Sequence, residues 1–72
     1  MMSDTERKIL EFMSKNLLTT THELSAYLKR ERHNGTDIAI QRLKDSGLIE
    51  KVESLGTCFV ITQKGMKHLR GD

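Results

Sequence analysis

Residues Asp37 to Gly65, DIAIQRLKDSGLIEKVESLGTCFVITQKG, decide the fold. At about 100° per residue, Ala39, Ile40 and Leu43 share one helix face with Thr36, the face assigned to the core. Ile38, Gln41, Arg42 and Asp45 fall opposite, with Asp37 and Lys44 flanking them. Gly47 suits the left-handed residue that follows a helix, and Leu48 and Ile49 turn back toward the core. A hairpin comes next. With Leu55 and Gly56 as central turn residues, Val52 stands opposite Phe59 and Glu50 opposite Ile61. Val52, Phe59 and Ile61 then share the buried face, and Cys58 points outward. Thr62 caps a last helix with Met66 and Leu69 inward.

Upstream, a first helix is expected from Asp4 to Asn16, where Ser3 and Glu6 have capping-box spacing. Ile9, Leu10, Met13 and Leu17 form its apolar stripe. Phe12 falls beside that stripe and is either a rim residue of the core or part of a partner surface. Thr20 and Glu23 form a second capping box, with Leu18 to Thr20 as a short strand before it. Helix two carries Leu24, Tyr27 and Leu28 inward and fades into KRERHNG, residues 29–35. The third helix takes Asn34 or Thr36 as its N-cap.

A chain of 72 residues reads as one domain over 1–72. A core of this size supplies about 3–5 kcal/mol, and oligomerisation is a common supplement. The single cysteine permits neither an intramolecular disulfide nor a zinc cluster, which suits a reducing compartment. No apolar run approaches the roughly 20 residues that span a bilayer. The opening MMSDTERK has no secretion-signal core. A soluble cytoplasmic protein without a membrane partner is the expectation.

Net charge is only +2, but its distribution is uneven. From Lys29 to Lys44, five bases (Lys29, Arg30, Arg32, Arg42, Lys44) face two acids (Glu31, Asp37). From Asp4 to Lys15 the signs balance. A basic excess around one helix-turn-helix is where phosphate contacts are expected. His22, His33 and His68 lack metal-ligand spacing, and neither a nucleophile elbow nor a glycine-rich phosphate loop is present. No catalytic residue, metal or cofactor is expected, and the chain is not read as an enzyme.

The segments HELSAYL, IQRLKDSGLIEKV and FVITQKGMKHL together resemble the winged helix-turn-helix transcription regulators, particularly the MarR-like and small archaeal or viral ones. Leu43, Gly47, Leu48, Ile49, Thr62 and Gly65 occupy the family's pattern positions, and Ile61 stands where the family has leucine. The resemblance runs from about Thr20 to Leu69. It implies an α+β fold: a three-helix core, a two- or three-stranded antiparallel wing sheet and a short C-terminal helix. It also implies a sequence-specific double-stranded DNA-binding protein, with helix 34–46 in the major groove and hairpin 50–61 as the wing. The wing tip departs from the family in carrying no arginine for a minor groove.

In such proteins the start of the second helix of the motif meets base edges. Asn34, Asp37, Ile38 and Gln41 then face the bases, with Gln41 matching adenine and Ile38 a thymine methyl. Arg30, Arg32, Arg42 and Lys44 neutralise phosphates, joined by Thr21 and His22. Lys51, Ser54 and Thr57 are the wing candidates. Asp37 either caps the helix, pairs with a base such as Arg30, or accepts from cytosine. Ile38 is alternatively an anchor for another protein, which makes an adaptor without nucleic-acid binding the rival reading. A homodimer through the first and last helices, with Phe12 and Met66 as apolar anchors, fits a pseudo-palindromic site.

Overall fold

Two threonines and a serine start three of the helices. Ser3 Oγ accepts from the Glu6 amide, Thr20 Oγ1 from Glu23 and Thr62 Oγ1 from Gly65, each satisfying one of the orphan donors of a first turn. A computed structural model describes residues 2–16, 18–53 and 56–71. It shows an α+β chain in the order α1 (Asp4–Lys15), β1 (Thr19–Thr20), α2 (Thr21–Arg30), α3 (Thr36–Asp45), β2 (Ile49–Val52), β3 (Cys58–Ile61) and α4 (Gln63–Arg70). The expected box at Thr20 is complete, because Glu23 Oε1 accepts from the Thr20 amide at 3.0 Å.

The three strands form one antiparallel sheet in the order β1-β3-β2. β1 pairs Thr19 with Phe59 and Thr20 with Cys58, which supplies the expected short first strand. The hairpin register differs from expectation by one residue. Ile49 stands opposite Ile61, Lys51 opposite Phe59 and Val52 opposite Cys58. Five residues, not a two-residue turn, separate Val52 from Cys58, and an odd connection moves the register by one. The observed pairing puts Ile49 inward at 2% exposure and sends Glu50 to solvent. The expected one directed a carboxylate toward the core, which costs far more than turning an isoleucine outward. Val52 therefore shares the outer face with Cys58 and is half-buried. Leu17 and Leu55, assigned above to the α1 stripe and the hairpin turn, lie outside the described residues.

The core joins Ile9, Leu10 and Met13 of α1 with Leu24 and Leu28 of α2, and Ala39, Ile40 and Leu43 of α3. Leu48, Ile49 and Phe59 close it from the sheet side. Burying each large apolar side chain contributes roughly 1.5–3 kcal/mol. Phe12 is half-buried, its ring stacked on Tyr27 with centroids 4.6 Å apart. It is a rim residue of the core, not a freely exposed anchor. On α4, Gly65 is buried and Leu69 packs against the core, whereas Met66 lies on the outer side with Gln63, Lys67 and Arg70. Helical geometry explains the correction, because Met66 stands about 100° from Gly65.

Two helix ends position α3. At the end of α2, the Arg32 amide donates to Lys29 O at 3.1 Å and the His33 amide to Leu28 O at 2.8 Å. This is a Schellman closure, with Arg32 itself in the left-handed conformation at φ +60°. At the end of α3, Gly47 plays the same part at φ +76°, with Leu48 N–H on Leu43 O at 2.9 Å. Gly35 is the N-cap of α3 and gives no side-chain hydrogen bond, so neither Asn34 nor Thr36 caps that helix.

Candidate functional site

The orientation of α3 decides what this chain presents to a partner. Ala39, Ile40 and Leu43 are buried, and Thr36 is half-buried. Asp37, Ile38, Gln41, Arg42 and Asp45 lie at the surface, Ile38 with 66% of its area exposed. The amphipathic assignment made from spacing is therefore the observed one. Lys44 is half-buried at the edge of this face.

Charge on the exposed face is balanced, Arg42 and Lys44 against Asp37 and Asp45. Gln41 Nε2 donates to Asp45 Oδ1 at 2.9 Å, so its amide is held along the helix surface. Among the described residues Asp37 has no cation within 4.0 Å and caps nothing. It sits in the first turn of α3, where the helix dipole favours a carboxylate. The expected pairing with Arg30 is not made.

The positive excess lies at the α2–α3 turn. Glu31, the acid within that basic run, is taken up by Lys8 of α1 at 3.1 Å. The hydrogen bond that Lys8 Nζ donates to Glu31 Oε1 holds the Lys8 ammonium above its ordinary range, with their mutual attraction as the next cause. Lys29, Arg30 and Arg32 have no carboxylate within 4.0 Å among the described residues. His33 Nδ1 lies 3.0 Å from Thr5 Oγ1, which ties this turn to α1.

The expected contact residues are spread over α2, the α2–α3 turn, α3 and the hairpin. Asn34, Ile38 and Arg42 line one shallow depression with Ser3, Thr5 and Glu6 of α1. His22 and Arg30 line a second, with Lys29, Ala26 and Phe12, along the outer face of α2. Thr21 opens α2 and is half-buried, and Arg32 is exposed in the turn. Lys51 and Thr57 are exposed on the hairpin, where Lys51 Nζ meets Glu53 Oε1 at 3.0 Å. Ser54 lies outside the described residues. No protein-family model, curated protein or solved structure matches this chain.

Two contributors escaped the sequence reading. Glu6, taken there only as a cap partner, stands 3.9 Å from Arg42 and brings α1 alongside α3. Lys64 of α4 donates to Ser46 O at 2.8 Å, placing a cation at the C-terminal end of α3. Composition carried a signal for the second: Gln63–Arg70 holds Lys64, Lys67 and Arg70 and no acid. Among the described residues no group of three His, Cys, Asp or Glu has the arrangement to hold a metal ion. No helix there is long and apolar enough to cross a membrane.

Proposed function

We propose that this chain is a winged helix-turn-helix protein that binds double-stranded DNA in a sequence-specific way, as a transcription regulator. The observation that carries the reading is the split of α3, with Ala39, Ile40 and Leu43 inside and Ile38, Gln41 and Arg42 outside. Beside it stands a turn whose three bases lack carboxylate partners among the described residues. On this reading α3 enters the major groove, Gln41 leaves Asp45 to pair with adenine, and Ile38 meets a thymine methyl. Arg30 and Arg32 neutralise phosphates and the β2–β3 hairpin serves as the wing. The order β1-β3-β2, with the hairpin directly after α3, is the arrangement this reading requires.

A homodimer doubles the limited base contact of one module. Met66 on the outer side of α4 is its proposed anchor. Sedimentation showing only monomer at high micromolar concentration removes this part of the proposal.

One observation favours a second reading. Ile38 is 66% exposed on a face whose acids and bases balance, as an anchor for another protein would be. Binding of a random-sequence duplex pool between 50 and 200 mM salt separates the two readings. Affinity that falls steeply with salt supports DNA. Affinity indifferent to salt supports the adaptor.

A further inference from the structure

We infer that, when α3 lies in the major groove, α4 meets the DNA backbone beyond the C-terminal end of α3 through Lys64 and His68. The inference rests on the DNA-binding reading and adds a contact that neither the basic turn nor the hairpin supplies.

It begins with the flank of α3 that faces α1. Ile38, Arg42 and the C-cap Ser46 are spaced four residues apart and form one row along the helix. Asn34, Ile38 and Arg42 line the depression against Ser3, Thr5 and Glu6. A second depression begins at the same Glu6 and is lined by Met2, Ser46, Leu48, Lys64 and His68. The two adjoin at Glu6, so a track runs from Asn34 and Gly35, along α3, onto the first turns of α4. Among the described residues Glu6 is the one acid lining it, only 13% of its side chain is exposed, and Arg42 stands 3.9 Å away. Lys64 lines its far end, and Arg32 stands two residues before its near end at Asn34.

Length makes the match. The ten residues of α3 extend about 15 Å, while the major groove is about 12 Å wide. A helix seated there with its first turn at the bases brings its far end to the phosphate rim. Lys64 Nζ, on Ser46 O at 2.8 Å, is already at that end. Its remaining donors are available to a phosphate oxygen. Lys64 and His68 are one helical turn apart, on the flank of α4 away from Met66, so this contact and the proposed dimer anchor do not compete.

The test measures the salt dependence of duplex binding for the full chain. Wild type, Arg32→Gln, the double variant Lys64→Gln/His68→Gln, Lys64→Arg and the charge control Lys15→Gln are compared. The expected result is a log–log slope shallower by about 0.9 for the double variant, with Lys64→Arg and Lys15→Gln at the wild-type slope. A slope unchanged in the double variant but reduced in Arg32→Gln overturns the α4 contact and leaves the DNA reading standing. Wild type without salt-dependent binding overturns both. Amine-reactive footprinting of the unaltered chain gives a readout independent of variant folding. Lys64 protected by duplex supports the contact, and Lys64 equally reactive with and without duplex refutes it. Loss of binding to polyglutamate with an unchanged duplex slope assigns the surface to an acidic protein and also refutes the proposal.

Discussion

Replacing Arg32 with glycine should stabilise the fold and, on the DNA reading, weaken duplex binding. Arg32 occupies φ +60° at the closure of α2, where its Cβ crowds the following carbonyl. A non-glycine residue pays about 1–2 kcal/mol for that conformation. Glycine removes the crowding but costs about 0.5–1 kcal/mol in extra freedom of the unfolded chain. The net expectation is a gain of about 0.5–1 kcal/mol, or a rise in Tm of about 2–8 °C for a domain of this size. The hydrogen bonds Arg32 N–H to Lys29 O and His33 N–H to Leu28 O involve backbone only, so glycine keeps both. Binding should move the other way, because one phosphate partner is lost and the salt slope falls by about 0.9. Arg32→Ala isolates the cause: it removes the same charge yet keeps the Cβ, so the unfolding free energy should stay within about 0.5 kcal/mol of wild type. Thermal unfolding by circular dichroism, paired with duplex titrations, checks both halves. An Arg32→Gly protein no more stable than Arg32→Ala refutes the strain argument, and an unchanged salt slope refutes the phosphate contact.

Gly65→Ala should destabilise by about 1–3 kcal/mol, because the new methyl collides with the Leu48 carbonyl oxygen and lies 2.8 Å from Ile61 Cγ1. Urea unfolding measures it, and wild-type stability would mean α4 moves away from Leu48 freely. The hairpin register predicts that Ile49→Ala costs about 2–5 kcal/mol while Glu50→Ala stays within about 0.5 kcal/mol. The opposite ranking in the same assay would restore the Val52–Phe59 pairing. On the DNA reading, Gln41→Ala should relax preference at one base pair by about 1–3 kcal/mol without changing the salt slope, as judged by selection from a duplex pool.

Much of this architecture was legible because its signals are local. Ser3–Glu6 and Thr20–Glu23 mark helix starts, Gly47 marks an end, and the spacing of Ala39, Ile40 and Leu43 fixes which side of α3 is buried. Features that depend on tertiary geometry were not legible. The register turned on whether five residues or two connect the strands, and the core decided it by burying Ile49. The N-cap of α3 fell to Gly35 because the reversal after Arg32 requires a second left-handed residue there, at φ +76°. Phe12 looked available until Tyr27, from another helix, came to rest on its ring. The α4 cations stayed unremarked because net charge was weighed by neighbourhood in sequence, while Lys64 and Ser46 meet only in space.

The Leu48 carbonyl accepts both the amide and the hydroxyl of Thr62, at 3.1 and 3.0 Å. The same hydroxyl lies 2.7 Å from the Gly47 carbonyl, and Lys64 Nζ donates to Ser46 O at 2.8 Å, so the two ends of the β2–β3 excursion are fastened together. Between them β3 is held by β1 through Thr19–Phe59 and Thr20–Cys58, and Ile49 and Phe59 sit in the core, so added length falls on the connection from Val52 to Cys58, at only about 0.6 kcal/mol per doubling. A graft between Val52 and Cys58 would therefore hang from the body of the protein without loosening α3 or α4, and this makes the hairpin the natural place to extend the reach of the molecule.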